Sequence, residues 1–102
     1  PAFERRRPIG ACEGERRRGA IRFLSPANHR VLAYLRSLGE EQILVVNNLS
    51  SSAQAVELDL HDLEGAIPIE MFGRSLFPRI RERPYVMTLG PYDFFWFKLR
   101  WL

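Results

Sequence analysis

Residues 85–99 read YVMTLGPYDFFWFKL, and this stretch decides the fold class of the 102-residue chain. Alternating apolar and aromatic side chains are typical of β-strands, and a pair such as Gly90-Pro91 is typical of the turn between two strands. The pattern therefore predicts a β-hairpin with strands at 85–89 and 94–99. Aromatic side chains contribute much of the packing energy of a core, so we expect the second strand to close it.

The second strand of this hairpin is apolar on both faces. Phe95, Phe97 and Leu99 alternate onto one face, and Phe94 and Trp96 alternate onto the other. Strands of this kind are typically covered on both sides. Trp96 is therefore expected to pack either in the core or against a neighbouring domain. Trp101 lies beyond the predicted strand and is expected to be the more exposed ring.

Short β-type runs separated by turn residues continue upstream as far as residue 20. They lie at 21–24, 31–36, 42–47, 55–60 and 66–72. The run at 42–47 is nearly all apolar, which predicts a central strand, and Pro68 lacks a backbone donor, which predicts an edge strand. Seven or eight strands at this spacing are typical of an antiparallel sandwich or barrel.

The composition is that of a soluble globular domain, since 46% of the residues are hydrophobic and 26% are charged. No apolar run is long enough to span a bilayer, and no apolar stretch follows the basic N-terminus as it would in a secretory signal. The single cysteine, Cys12, cannot form an internal disulfide. These features predict one domain, no membrane partner and a cytoplasmic location.

The positive charge is concentrated in residues 1–19. Six arginines lie there in two clusters, at 5–7 and 16–18, whereas the rest of the chain is neutral. Because this segment has no apolar period, we interpret residues 1–19 as an irregular, Arg-rich leader or linker and residues 20–102 as the β-domain. A basic arm could contact nucleic acid, but a solvated linker is the simpler interpretation, and nucleic acid is not an expected partner. The chain opens on Pro1 rather than Met, which predicts that it is part of a longer protein.

Reactive side chains are scattered along the sequence. Asp59, His61, Asp62 and Glu64 are close neighbours, but successive residues of a strand point to opposite faces, so a metal site there would need a special turn. Neither a glycine-rich phosphate loop nor a nucleophile with an adjacent base is recognisable. We therefore predict no catalytic residue, no metal site and no cofactor in this chain.

Aromatic side chains give the one signal of binding. Exposed rings stack on sugar faces, and Tyr34, Trp96 and Trp101 are the candidates for a sugar-binding surface. The same rings would also suit a contact between domains. At least two coplanar, exposed rings would favour a carbohydrate-binding module.

Several segments together resemble a known family. They are PANHRVLAYLR at 26–36, QILVVNNLS at 42–50, VELDL at 56–60, IPIEMFG at 67–73, TLGPY at 88–92 and FFWF at 94–97. In order and spacing they resemble the C-terminal β-domain of trehalose synthases, which belong to the α-amylase superfamily. The resemblance runs from about residue 19 to residue 99. It implies an all-β fold, namely an antiparallel β-sandwich of Greek-key type with seven or eight strands.

The resemblance also implies a function for the parent protein. Trehalose synthases (maltose α-D-glucosyltransferases) isomerise maltose to trehalose by a retaining double displacement. Their aspartate nucleophile and glutamate acid/base lie in an upstream (β/α)8 barrel, so neither a catalytic residue nor a calcium site is implied for this sequence. The C-terminal domain of such an enzyme packs against the barrel and can contribute to contacts in a homo-oligomer.

The sequence departs from the family pattern in three places, one of which is an extension past the usual end at residues 100–102. Residues 4–18 intervene where the family passes quickly into the first strand. Asn47 stands where a small apolar residue is usual, which predicts a polar side chain near the core that needs a partner.

Overall fold

The computed structural model describes residues 20–101. In chain order the strands are β1 (Ala20–Leu24), β2 (Val31–Leu38), β3 (Glu41–Asn48), β4 (Gln54–Leu58), β5 (Ala66–Glu70), β6 (Tyr85–Leu89) and β7 (Phe94–Trp101), with a 3-10 helix at His61–Leu63 between β4 and β5. The predicted all-β fold is confirmed over this range. The predicted leader at residues 1–19 lies outside the described residues.

Two antiparallel sheets form the sandwich. The larger sheet has the strand order β1-β2-β3-β7-β5, and the smaller sheet pairs β4 with β6. β3 lies in the centre of the larger sheet, as its apolar sequence predicts, and β5 with Pro68 lies at an edge. After β3 the chain alternates between the two sheets, so each later strand lies in the opposite sheet from the one before it.

The inner faces of the two sheets form one core. Buried side chains alternate along β2, β4 and β6, as the period of two in a strand requires. Phe97 is fully buried near the centre, with its ring centroid 4.7 Å from that of Phe77 and 5.4 Å from that of Phe95. The core also includes Ala33, Leu35, Leu44, Val46, Val56, Leu58, Met87, Leu89 and Leu99.

The predicted closing hairpin is wrong. β6 pairs with β4 in the smaller sheet, whereas β7 pairs with β3 and β5 in the larger one. The predicted turn is present, since the Asp93 N–H donates to the Gly90 carbonyl over 3.0 Å, but it carries the chain from one sheet to the other. Alternation shows that one face of a strand is buried, and it is the same whether the next strand lies beside it or across the core.

The buried asparagine is Asn48 rather than the predicted Asn47. Its side-chain amide donates to the carbonyls of Ser52 and Gly90 over 2.8 Å and to that of Leu89 over 3.3 Å. Its Oδ1 accepts hydrogen bonds from the backbone N–H and the hydroxyl of Ser50, each 2.9 Å long. Asn48 therefore ties the β3–β4 connection to the β6–β7 connection, and the two crossings between the sheets are fixed at one point.

The free edge of β5 is lined by the segment that leads to β6. Pro68 accepts a hydrogen bond at its carbonyl from the Phe77 N–H over 2.9 Å, and the Ile80 N–H donates to Ala66 over 2.8 Å. A single antiparallel bridge pairs Ile69 with Leu76. This segment covers the edge of the larger sheet at β5. The opposite edge of that sheet is β1.

Candidate interaction surface

The outer face of the larger sheet gathers aromatic side chains from several strands. Phe23 on β1 is opposite Tyr34 on β2, Tyr34 is opposite Val45 on β3, and Val45 is opposite Trp96 on β7. Directly opposed residues of antiparallel strands point to the same face. The strand register therefore builds one row across four strands, although its members are far apart in sequence.

A second row lies beside the first. It contains Leu32, Asn47 and Phe94, and Phe72 from the turn after β5 packs against it. We call the two rows together the aromatic patch, defined as Phe23, Leu32, Tyr34, Phe72, Phe94 and Trp96. Each of these side chains except Tyr34 is exposed, up to 67% for Phe72 and 64% for Phe23. Val45, which lies between Tyr34 and Trp96, is only 3% exposed.

The rings of the patch hold one another in tilted and edge-to-face arrangements. The centroid of Phe72 lies 5.7 Å from that of Trp96 at an interplanar angle of 55°, and 5.8 Å from that of Phe94 at 87°. Phe23 and Tyr34 are 5.7 Å apart at 56°. These are favourable geometries for aromatic pairs. The result is an uneven, preassembled apolar surface, whereas a flat sugar-stacking platform would need parallel rings.

The three predicted binding residues are divided between two faces. Tyr34, which is half-buried, and Trp96 share the aromatic patch. Trp101 follows Phe97 and Leu99 on the inward side of β7, and its Nε1–H donates to the Glu64 carbonyl over 3.3 Å. The prediction that Trp101 lies beyond the last strand is wrong, because β7 extends to it and pairs it with Ala66.

Cationic side chains border the patch along the same face. Arg36 and Lys98 lie in the next row, on either side of Ile43, and Arg100 follows opposite Ile67. We call Arg36, Lys98 and Arg100 the basic rim. Lys98 Nζ lies 3.0 Å from Glu41 Oε2, and both side chains are about half exposed. Exposed pairs of this kind contribute little to stability, and the carboxylate of Glu41 offsets the charge of Lys98, so Arg36 and Arg100 carry most of the positive charge of the rim.

The outer face of the smaller sheet is different. Its exposed residues are Ala55 and Glu57 on β4 and Val86 and Thr88 on β6. Of these four, Val86 is the one large apolar side chain. An isolated exposed apolar residue is normal on a soluble protein, whereas a contiguous aromatic patch is typical of an interaction site.

A groove of about 680 Å³ opens at the end of the sandwich, between β1 and β4. Within it Asp59 Oδ1 lies 2.7 Å from His61 Nδ1, and Arg22 pairs with Asp62 over 2.6 Å. The hydrogen bond from His61 lowers the pKa of Asp59, and the same bond raises the pKa of His61. The hydrogen bond from Arg22 lowers the pKa of Asp62. Four polar groups of the groove are therefore paired, Asp59 with His61 and Arg22 with Asp62.

The 3-10 helix supplies the special turn that the sequence alone does not reveal. It brings His61 back onto Asp59 and leaves Asp62 facing Arg22. Within residues 20–101, no group of three or more His, Cys, Asp or Glu side chains is arranged to hold a metal ion. The same residues include no helix that is long and apolar enough to cross a membrane.

Comparison with protein families and curated proteins gives consistent matches. The family model described as maltogenic amylase, C-terminal domain, matches residues 21–96. The chain is 45% identical over 85 residues to the trehalose synthase of Pimelobacter sp. (strain R48). The aligned region covers 79% of this chain and 15% of that protein. It is 40% identical over 101 residues to the trehalose synthase/amylase of Mycobacterium tuberculosis (strain ATCC 25618 / H37Rv), covering 96% of this chain and 16% of that protein. The chain thus spans about a sixth of the length of these relatives.

Solved structures share the fold at low sequence identity. A variant of AmyP in complex with maltotriose superposes with a TM-score of 0.70 at 14% identity, over 81% of this chain and 17% of that chain. A β-L-arabinopyranosidase variant from Geobacillus stearothermophilus superposes with a TM-score of 0.65 at 20% identity, over 79% of this chain and 20% of that chain. At these identities the likeness is one of fold.

Proposed function

The chain belongs to the family of maltogenic amylase C-terminal domains, and from this premise we propose that it is the noncatalytic C-terminal domain of a trehalose synthase. In this proposal the isomerisation of maltose to trehalose takes place in a (β/α)8 barrel upstream in the same polypeptide. The domain contributes stability to that barrel and no reacting group. The observation that carries the proposal is the family match over residues 21–96, together with 40–45% identity to trehalose synthases.

The arrangement of carboxylates supports a noncatalytic role. A retaining glycosidase holds two carboxyl groups about 5–5.5 Å apart across the scissile bond, one as nucleophile and one as acid/base. In the described part of the chain, two carboxylates of the groove have other partners instead, since Asp59 pairs with His61 and Asp62 pairs with Arg22. Both pairs hold their carboxylates in the charged form, which is the wrong state for a general acid.

The proposed stabilising role has a physical basis in buried apolar area. Interfaces between domains of one chain typically bury about 600–1,500 Å². At about 25 cal/mol per Å² of apolar surface, such an interface contributes several kcal/mol after the costs of ordering it. That is comparable with the whole stability of an ordinary domain, so losing this domain would expose the parent to thermal inactivation.

Two preparations of the full-length parent test the proposal. The intact parent is expected to convert maltose to trehalose, and a parent that ends before Ala20 is expected to keep the same product while losing activity faster on heating. Trehalose is measured by chromatography after incubation at several temperatures. The mass of the intact parent in solution tests the further role in oligomer contacts, and fractionation of cells tests the cytoplasmic location.

Two results would contradict the proposal. Turnover of maltose by the 102-residue chain alone would place reacting groups in this domain. Failure of the intact parent to form trehalose would show that the parent has a different activity. The proposal assigns no catalytic residue, metal or cofactor to this domain, so neither result depends on a ligand bound to it.

A further inference from the structure

We infer that the aromatic patch is the surface on which this domain docks against the catalytic part of its own polypeptide, and that carboxylates of that partner face the basic rim. This inference rests on the proposed function, because it names the surface through which the domain acts. It is argued from the exposure of the patch, the place where the chain enters the sheet, and the charges beside it.

The first step is that the patch has the composition of a core and lacks a cover. Within residues 20–101 no second sheet covers the outer face of the larger sheet, although Phe94 and Trp96 are as bulky as the side chains on the inner face. Monomeric proteins rarely expose contiguous apolar patches of several hundred Å² without a function for them. The outer face of the smaller sheet, with Glu57 and Thr88, shows no such excess.

The second step identifies the occupant. Relatives at 40–45% identity are about six times longer than the matched region, so most of such a polypeptide lies outside this domain. The preceding chain enters the described sheet at Ala20, in the edge strand that carries Phe23. A tethered partner that arrives beside the patch has a high effective concentration there. It therefore occupies the patch ahead of a second copy or a free ligand.

The third step concerns charge. Arg36, Lys98 and Arg100 point from the same face as the patch, and Glu41 is the carboxylate that pairs with Lys98. Cations at the rim of an apolar contact favour a partner surface with opposite charge, and they fix the register of docking more than its strength. The partner surface is therefore apolar in its centre and carries aspartate or glutamate on the side that meets the rim.

Hydroxyl-radical footprinting of the full-length parent tests this inference with a matched pair of tryptophans. Trp96 and Trp101 lie on the same strand, and they are similarly exposed in the domain, at 40% and 48%. Because an interface core excludes solvent, we expect Trp96 to be oxidised roughly tenfold more slowly than Trp101 in the parent. Tyr92, an exposed residue of the β6–β7 turn, provides a second reference.

Each other outcome overturns the inference. Oxidation of Trp96 at the rate of Trp101 would mean that the patch stays open in the parent. Protection that disappears on dilution would identify a second copy as the occupant, and protection that requires added maltose would identify a sugar-binding surface. Trehalose formation by the parent is measured in parallel, so failure of the proposed function is seen separately from the state of Trp96.

Substitutions in the parent give an independent measurement. Trp96→Ser should weaken docking and so expose the other rings of the patch, so that Phe23 and Phe72 are oxidised several-fold faster than in the unsubstituted parent. Val86→Ser on the smaller sheet is the matched control and should leave both rates unchanged. Equal effects of the two substitutions would contradict docking through the larger sheet.

Discussion

The two faces of the larger sheet are made by the same strands and meet different surroundings. On the inner face Leu44, Val46 and Phe97 are fully buried against the smaller sheet. On the outer face Phe94 and Trp96, which alternate with Phe97 along β7, are exposed. Phe94 and Trp96 are as apolar as the three buried side chains, so residue type does not decide which of them is buried. The presence of a second layer does.

This comparison explains why β7 is aromatic on both sides. A strand at a solvent-facing position of an antiparallel sheet normally alternates apolar with polar residues. β7 lacks that alternation, and so does its neighbour β3, where Val45 on the outer face is buried beneath flanking rings. The outer face therefore has the composition of a sheet between two layers, of which residues 20–101 supply one.

The largest expected effect is that of Phe97→Ala. Phe97 is fully buried between Phe77 and Phe95, so its removal leaves a cavity and is expected to cost about 3–5 kcal/mol of unfolding free energy. Urea denaturation of the 102-residue chain measures the loss. Phe94→Ala, on the outer face of the same strand, is the control and should cost less than about 1 kcal/mol. Equal losses would show that the two faces do not differ in burial.

A smaller effect is expected at the pair of asparagines that end β3 on opposite faces. Asn48→Ala removes the donor for the carbonyls of Ser52, Leu89 and Gly90, and leaving buried acceptors without a partner is expected to cost about 2–3 kcal/mol. Asn47→Ala on the outer face should change the stability by about 0.5 kcal/mol or less. The same denaturation experiment measures both. A cost at Asn47 as large as that at Asn48 would contradict the assignment of their faces.

The third prediction compares the stability cost of one outer-face substitution in the 102-residue chain and in the full-length parent. In the 102-residue chain, Trp96→Ala is expected to cost less than about 1 kcal/mol, because the ring is already partly exposed. In the full-length parent the same substitution is expected to cost about 2 kcal/mol or more, as for an aromatic residue in the centre of an interface. Thermal unfolding of both proteins measures the difference. The same small loss in both would show that the parent leaves this face uncovered.

Much of the fold follows from local patterns. Period-two alternation predicts most strand positions, and Pro68 predicts the edge strand, because both signals depend on the strand alone. The supposed hairpin at 85–99 shows the limit, since alternation does not distinguish a neighbour beside a strand from one across the core. The choice between Asn47 and Asn48 shows another limit, because a shift of one residue moves a side chain to the opposite face.

The proposed interaction surface follows only in part from the sequence. The two apolar faces of the last strand predict that Trp96 meets either the core or a neighbouring domain, and the structure places it on the outer face, in the same row as Tyr34 and separated from it by Val45. Phe72 lies at the end of a predicted run, where nothing local marks it as part of a surface, and it joins the patch through ring contacts. Phe23 joins it through strand register, which depends on the whole sheet. A signal was available in Ile21 and Phe23, whose alternation shows that β1 too has one apolar face.

The smallest effect concerns β1, the most exposed strand of the larger sheet. Its Arg22 pairs with Asp62, and a second pair, Asp59 with His61, lies beside this one. The hydrogen bond to Asp59 raises the pKa of His61 above 6.5, so its contribution to stability is fully present below pH 6.5 and is lost as the pH rises through the higher value of the folded state. The pKa of Asp59 is lowered below 3.8, so its contribution is present above that value and is lost as the pH falls through the lower one.

A slight fall in the melting temperature of the 102-residue chain is therefore expected as the pH is raised from 6 toward 9, and His61→Gln should remove it. His29→Gln, in the loop before β2, is the matched control and should leave the slope as it is. An unchanged slope in His61→Gln would mean that the pair contributes nothing, and β1 would then be held by its pairing with β2 and by whatever covers Phe23.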